Sequence, residues 1–147
     1  MTEIKEISAL ETYPVRHPVL RNGKPMESCH FDGDELETTK HFGYFENGRL
    51  AGIASLFETK NEAFKTKKQY QLRGMAVLLE HQKKGIGENL VFHAEIYATR
   101  KKTEVIWFNA REVAVGFYQK LGYEVIGAPF DIADIGPHFI MFRNLQN

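Results

Sequence analysis

The sequence has little that would suit an exported or membrane-embedded protein. Cys29 is the only cysteine among 147 residues, so an internal disulfide cannot form and a reducing compartment is expected. No apolar stretch approaches the roughly 20 residues that span a bilayer. Residues 1–7 also lack the basic-then-apolar order of a signal peptide. These absences predict a cytoplasmic protein without a membrane partner.

The sequence also lacks an excess of charge of either sign. Lysine and arginine number 19, aspartate and glutamate also number 19, and the formal net charge is zero. Such a chain is not drawn as a whole to nucleic acid, which is therefore not an expected partner. Any attraction for an anion must come from a local group of residues. Repeats and linkers are absent too, so a single domain over residues 1–147 is expected.

The hydrophobic pattern predicts an α/β (α+β) chain with a mixed sheet flanked by helices. Asn47-Gly48 is a strong signal for a two-residue hairpin turn, and Gly122 should follow the end of a helix. Helices are predicted over residues 85–100 and 114–121. Strands are predicted over residues 3–7, 41–46, 49–57, 69–79, 105–108, 123–126 and 139–142.

A further helix is expected after the first strand, and it should be short, kinked or interrupted. Ser8 and Glu11 have the spacing of a capping box, which favours a helix start. Pro14 and Pro18 would lie inside this helix, where proline removes a hydrogen bond and clashes with the preceding turn.

Residues 82–87, with the sequence Gln-Lys-Lys-Gly-Ile-Gly, have the features of an anion-binding loop. They lie between a predicted strand and a predicted helix, where free N–H groups and the helix dipole favour an anion. Gly85 and Gly87 lack side chains that would keep a phosphate from the backbone. Lys83 and Lys84 add positive charge. The implied ligand is a pyrophosphate.

Two alternatives to this loop can be weighed from the residues. A dinucleotide fingerprint would need glycine where the chain has Leu90, and a P-loop would need Gly-Lys-Ser/Thr, so neither motif is present. A glycine-rich helix entry without a ligand fits the spacing alone equally well.

Two motifs together resemble those of the GNAT family of N-acetyltransferases. Residues 82–87, after the strand through residues 75–77, are similar to its acetyl-CoA motif. Residues 117–123, Phe-Tyr-Gln-Lys-Leu-Gly-Tyr, resemble its next motif. The resemblance implies a GNAT-like splayed central sheet, with acetyl-CoA as co-substrate and no metal. The cofactor-binding residues that it implies are Met75, Ala76, Val77, Gln82, Lys83, Lys84, Gly85, Ile86, Gly87, Glu88 and Tyr118.

Within this family the sequence is most similar to the glyphosate N-acetyltransferase group. The similar stretches are residues 71–76, 109–111 and 136–138, with Arg21 in residues 20–22. The resemblance implies acetyl transfer to a small anionic amine, either an amino acid or an amino-phosphonate. Arginine suits such an acceptor because its paired donors match carboxylate or phosphonate oxygens. The implied substrate-binding residues are Arg21, Arg73, Arg111 and His138.

Acyl transfer to an amine needs a polarised carbonyl, a base for the amine and an acid for the departing thiolate. A backbone N–H within residues 75–77 could bind the carbonyl oxygen. Tyr118 is the candidate acid, because an ordinary tyrosine pKa of about 10 keeps it protonated at neutral pH. Its helical spacing with Ala114 and Leu121, taken alone, favours a core residue, whereas the resemblance favours the acid.

The resemblance also leaves the base to be found. Many members of the family use a glutamate on the long strand, where this chain has Gln71 and Arg73. His138 is the candidate base, because imidazole titrates near neutral pH. A histidine at the start of a strand is by itself usually a surface or hydrogen-bonded residue, and the resemblance of residues 136–138 favours the base. Cys29 has no arranged partner, so direct transfer in a ternary complex is expected rather than an acyl-enzyme.

Other readings of the same motifs remain. The acceptor could be an antibiotic, a polyamine or a protein amine, although the arginines would repel a polycation. The chain could also be a non-catalytic acyl-CoA sensor. A small-molecule amine is the expected partner, and the protein is expected to be a monomer or a homodimer.

Overall fold

A computed structural model of the chain describes residues 1–133 and 135–146. The strands are β1 (Thr2–Ile7), β2 (Lys40–Glu46), β3 (Arg49–Phe57), β4 (Gln69–Val77), β5 (Val105–Arg111), β6 (Glu124–Ile132) and β7 (Gly136–Asn144). The α-helices are α1 (Ala9–Leu20), α2 (Ile86–Arg100) and α3 (Val115–Lys120), with short 3₁₀ turns at Met26–Cys29, Leu79–His81 and Glu112–Ala114. None of the helices in this described part has the length and apolar character needed to cross a bilayer.

The seven strands form a mixed sheet in the order β1-β2-β3-β4-β5-β7-β6. The parallel strands β4 and β5 pair over Gln69–Gln71 and Val105–Trp107, and the sheet is splayed at this point. The predicted mixed, splayed α/β sheet is therefore confirmed. Residue contacts divide the chain into two compact units, and the predicted single domain over residues 1–147 stays a prediction.

Unit 1 comprises residues 1–58 and 72–97. It holds the antiparallel strands β1, β2 and β3, the helix α1, and most of β4 and α2. The predicted hairpin turn is confirmed, because Asn47 and Gly48 both adopt positive φ angles of 52° and 81°. Its core includes Ile7, Val15, Ile53 and Ala76.

Helix α1 is continuous, so the predicted interruption was wrong. The capping box is confirmed: Ser8 N–H donates to Glu11 at 2.8 Å, and Glu11 N–H donates to Ser8 Oγ at 3.2 Å. Pro14 and Pro18 deprive the carbonyls of Leu10 and Pro14 of helical donors. Leu10, Pro14 and Pro18 are all exposed, so water can replace those bonds. The opposite face holds the helix in place through its buried residues Ala9, Thr12, Val15 and Arg16.

Unit 2 comprises residues 59–71 and 98–147. Its strand β5 pairs in parallel with the start of β4 and antiparallel with β7, which in turn pairs with β6. Residues 59–68 form a loop, which the buried side chain of Gln69 organises by accepting from Asn61 N–H at 2.7 Å. Gly122 follows α3 with a φ of 96°, as the sequence predicts.

Candidate active site

In unit 1 one face of β4 is partly open. Arg73, Met75 and Val77 are half-buried, whereas Leu72 and Ala76 on the other face are buried. This alternation follows from the two-residue period of a strand. Arg73 thus lies on the partly open stretch of the strand that also holds Met75 and Val77, the residues that the sequence links to acetyl-CoA; their common face stays a prediction.

The backbone of β4 is irregular at Gly74. Its φ is 62°, which is unusual within a strand and typical of a glycine at a bulge. A Cβ at this position would lie 3.0 Å from Phe31 Cε2, so a side chain would also collide with that ring. Glycine is therefore needed here for its conformation and for the close approach of Phe31.

The loop that follows β4 has the geometry expected of an anion site. Gln82 Nε2 donates to the carbonyl of Val77 at 2.9 Å, which ties the loop to the strand end. Lys83 has a positive φ of 65°, uncommon for a residue other than glycine. Gly85 has a φ of 82°, and apart from its chain neighbours no atom of residues 1–133 and 135–146 would lie within 4 Å of a Cβ there. The space beside its backbone is thus open to a ligand.

Helix α2 begins directly after this loop, and Ile86 anchors its start. The Ile86 side chain is 2% exposed, and a Cβ on Gly52 of β3 would lie only 2.9 Å from its Cγ2. The first N–H groups of a helix lack acceptors within the helix, and its dipole is positive at this end. The loop and helix start over residues 82–88, which include Gly87 and Glu88, therefore fit a pyrophosphate.

The two lysines of the loop differ in their surroundings. Lys84 Nζ lies 3.5 Å from Glu46 Oε1, and His81 Nδ1 lies 2.8 Å from the same oxygen. Lys83 is exposed. The hairpin between β2 and β3 thus holds one of the predicted positive charges through Glu46.

Two of the predicted arginines meet at the ring of Phe31 in unit 1. The guanidinium carbon of Arg73 lies 4.8 Å from the ring centre, and that of Arg21 lies 5.2 Å from it. Arg73 also lies 5.2 Å from the ring centre of Phe57. Arg21 is fixed by bonds to the carbonyls of Ser28 and Leu20, at 3.0 and 3.1 Å. The continuous helix α1, which Arg21 caps, brings it here despite the two prolines.

A third arginine at this ring was missed by the sequence analysis. The Arg16 guanidinium carbon lies 3.8 Å from the centre of the Phe31 ring. Its two terminal nitrogens donate to Asp34 at 2.7 and 3.1 Å, and both side chains are fully buried. Arg16 also donates to the carbonyl of Cys29 at 2.9 Å. A charged residue beside Val15, on the inner face of a capped helix, was the available signal.

Asp34 is held as a carboxylate by this environment. Burial alone would raise its pKa, but the hydrogen bonds from Arg16 and from the Phe31 N–H outweigh burial and lower the pKa overall. Next to Asp34, His41 makes contacts through both ring nitrogens, with Ser55 Oγ at 2.7 Å and the Asp34 carbonyl at 3.0 Å. The result is a buried polar network behind Phe31.

In unit 2 Tyr118 belongs to an aromatic cluster. Its ring centre lies 4.3 Å from that of Phe108, 5.0 Å from that of Phe117 and 6.2 Å from that of Tyr123. Burial raises the pKa of Tyr118 to about 12, so the hydroxyl keeps its proton throughout the neutral range. The packing fixes the ring, as expected of a core residue, and the hydroxyl keeps its proton, as an acid requires. The structure is compatible with both interpretations of Tyr118 made from the sequence.

Unit 2 also brings Arg111 and His138 together. They are partners in the antiparallel pairing of β5 with β7, Arg111 being exposed and His138 buried. His138 Nδ1 lies 2.9 Å from the carbonyl of Gly136. A carbonyl can only accept, so this bond places a proton on Nδ1 and leaves Nε2 of the neutral ring free to take one. This is the tautomer that a base acting through Nε2 requires.

Two other kinds of chemistry, a cysteine nucleophile and a metal centre, can be judged from the positions of the side chains. Cys29 is fully buried, and burial raises the pKa of its thiol, which disfavours a nucleophilic role. Over residues 1–133 and 135–146, no group of three His, Cys, Asp or Glu side chains is placed to hold a metal ion.

Comparison with known proteins identifies the family. The family model described as "Acetyltransferase (GNAT) family" matches residues 4–123. YitI of Bacillus subtilis (strain 168), an uncharacterized N-acetyltransferase, is 37% identical over 146 residues, which are 99% of this chain and 98% of the relative.

Solved structures share the fold. A putative N-acetyltransferase from Lactobacillus plantarum has a TM-score of 0.79 at 20% identity, with 99% of each chain covered. An aminoglycoside 6'-N-acetyltransferase complexed with coenzyme A has a TM-score of 0.78 at 15% identity, covering 99% of this chain and 98% of that one. The chain therefore belongs to the acetyltransferase (GNAT) family and is an acetyl-CoA-dependent N-acetyltransferase.

Proposed function

We propose that this enzyme acetylates a small amine that carries a negative charge, such as an amino acid or an amino-phosphonate of the glyphosate kind. The observation that carries the proposal is the set of contacts that the Arg73 guanidinium makes. Its guanidinium lies against the rings of Phe31 and Phe57. Within residues 1–133 and 135–146 it has no hydrogen bond or ion pair.

The electrostatic surroundings of Arg73 favour an anion. Burial lowers the pKa of Arg73, and the neighbouring charge of Arg16 lowers it further, while Asp34 opposes this shift. Arginine nevertheless keeps its charge in proteins. A half-buried guanidinium without a direct hydrogen bond in the described residues gains from an anionic ligand, and its fork suits carboxylate or phosphonate oxygens. Arg21 at the same ring adds a second charge.

The proposed chemistry is direct transfer in a ternary complex. Acetyl-CoA supplies an acetyl thioester, the acceptor nitrogen forms the new N–C bond, and the C–S bond breaks. His138 Nε2 takes the proton that the amine loses, and Tyr118 gives a proton to the departing sulfur. Residues 75–77 and 82–88 hold the co-substrate, and Arg111 adds to the recognition of the acceptor.

The sequence resemblance to the glyphosate N-acetyltransferase group, carried by residues 71–76, 109–111 and 136–138 and by Arg21, favours this acceptor class. The same proposal places the enzyme in the cytoplasm, consistent with its single buried cysteine. Repulsion by Arg21 and Arg73 disfavours polyamines and aminoglycosides as acceptors.

An acceptor panel tests the proposal. Release of the CoA thiol is followed with amino acids, aminomethylphosphonate, uncharged amines of equal size, a polyamine and an aminoglycoside. The expected result is a kcat/KM at least about tenfold higher for the anionic amines, the value of one charge-assisted hydrogen bond. A preference for neutral or polycationic amines would overturn the anionic acceptor while leaving the acetyltransferase activity in place.

A further inference from the structure

We infer that Asp34 positions the acceptor-binding arginines, acting on them through the ring of Phe31. This inference rests on the proposed anionic acceptor, because it explains how Arg73 and Arg21 are held for that acceptor. Asp34 is itself fully buried and is a positioning residue that does not contact the acceptor.

Asp34 holds Phe31 by two separate routes. Its Oδ2 accepts a hydrogen bond from the Phe31 N–H at 2.9 Å, which fixes the backbone. Its two oxygens also accept the forked pair from Arg16, at 2.7 and 3.1 Å. The Arg16 guanidinium then lies 3.8 Å from the centre of the Phe31 ring. One carboxylate thus supports both the backbone and the ring of the same residue.

The position of the Phe31 ring in turn constrains Arg73. The ring has little freedom, because Gly74 approaches it so closely that a Cβ would lie 3.0 Å from Cε2. Arg21 has carbonyl acceptors of its own. The contacts of the Arg73 guanidinium found in the described residues are those with the rings of Phe31 and Phe57, at 4.8 and 5.2 Å. Moving Phe31 would therefore displace Arg73 first.

Asp34 also sets the charge of the cluster. The guanidiniums of Arg16, Arg21 and Arg73 surround one ring and carry three positive charges. Asp34 cancels the charge of Arg16, so that two guanidiniums remain for the acceptor. Without this carboxylate the Arg16 charge would be buried without a counter-ion. It would then attract the anionic group of the acceptor towards Arg16 and away from Arg21 and Arg73.

An ordinary structural ion pair would give a different result from a positioning one. Loss of a structural pair lowers the folded fraction, and activity with every acceptor falls equally. Loss of a positioning pair raises KM for anionic acceptors and leaves neutral acceptors and acetyl-CoA unaffected, because only the arginines are displaced.

The test compares Asp34→Asn with the double variant Arg16→Met/Asp34→Leu. The first keeps the shape of Asp34 but removes its charge, and the second removes both charges without leaving either one buried and unpaired. Glu35→Gln is the matched control, since it removes one charge from the exposed neighbouring residue. Steady-state constants are measured for an anionic and a neutral acceptor at a temperature where thermal unfolding shows each protein to be folded.

Both Asp34 variants should raise KM for the anionic acceptor roughly tenfold, because cation–π contacts of this strength would be disturbed. The constants for the neutral acceptor and for acetyl-CoA should stay within about twofold of the parent values. Phe31→Leu should give the same pattern and Phe31→Tyr, which keeps the ring, should restore the parent values. A folded double variant with the parent KM, or equal losses for both acceptors, would overturn the inference and leave the proposed function standing. A parent enzyme that prefers neutral amines would overturn both.

Discussion

Arg73 should matter far more than Arg111 for recognition of an anionic acceptor, although the sequence gives the two residues the same role. Arg73 is half-buried against two rings, whereas Arg111 is exposed at the end of β5. A hydrogen bond to a charged group contributes about 1.5–3 kcal/mol when it is shielded from water. An exposed charge pair contributes about 0–1 kcal/mol.

These free energies translate into different losses of activity. Arg73→Ala should lower kcat/KM for an amino acid or amino-phosphonate roughly ten- to a hundredfold. Arg111→Ala should lower it at most about fivefold. A neutral amine of the same size should be nearly unaffected by either change, because it makes no charge-assisted bond to the arginine.

The assay is the release of the CoA thiol under steady-state conditions, with Arg100→Ala as the matched control. Arg100 is exposed at the end of α2 and should lose nothing. Two results would refute the reasoning: a loss for Arg111→Ala as large as that for Arg73→Ala, or an equal loss with the neutral amine.

The remaining predictions concern the co-substrate, the acid, the base and the buried ion pair. Gly87→Val should crowd the pyrophosphate loop and raise KM for acetyl-CoA, whereas Thr99→Val at the far end of the same helix should not. Tyr118→Phe should lower kcat with little change in stability, and ionisation of Tyr118 should not reduce the parent rate until the pH nears about 12. His138→Asn should lower kcat, because an amide side chain cannot take the proton that the amine loses. Asp34 has a lowered pKa in the folded protein, so the stability that it contributes is complete above the ordinary aspartate pKa of about 3.9 and is lost as the pH falls below it.

Each of these predictions has a result that would contradict it. A folded Gly87→Val protein with the parent affinity for acetyl-CoA would move the pyrophosphate elsewhere. Unchanged turnover after Tyr118→Phe, where chemistry limits the rate, would make this tyrosine a core residue. Unchanged turnover after His138→Asn would assign the base to another group. Acid unfolding that is identical for Asp34→Asn and the parent would show that Asp34 is not its source.

Local rules predicted most of the fold. The Asn47-Gly48 turn, the Ser8–Glu11 capping box and Gly122 after α3 each depend on a few adjacent residues, and the structure confirms all three. The interruption of α1 was predicted from an equally local rule and was wrong. Whether Pro14 breaks a helix depends on which face it occupies, and that is set by the tertiary packing of the opposite face.

The candidate site also has parts that local sequence patterns predict and parts that depend on tertiary contacts. The loop at residues 82–87, between β4 and α2, follows from its motif and could be predicted. Phe31 and Asp34 lie in residues 21–39, a segment without hydrophobic periodicity. The role of Asp34 depends on its ion pair with Arg16, which lies 18 residues away in the sequence. Local residue spacing does not predict such a contact.

The burial of Cys29 gives this protein a built-in reporter. Cys29 is fully buried, and its carbonyl accepts a hydrogen bond from Arg16, whose guanidinium carbon lies 3.8 Å from the centre of the Phe31 ring. A thiol reagent added to the native enzyme therefore reads released CoA with little background from the protein itself. The slow reaction that remains at Cys29 measures how often the segment around Arg16 opens, so one reagent can follow both turnover and local unfolding near the Arg16–Asp34 pair.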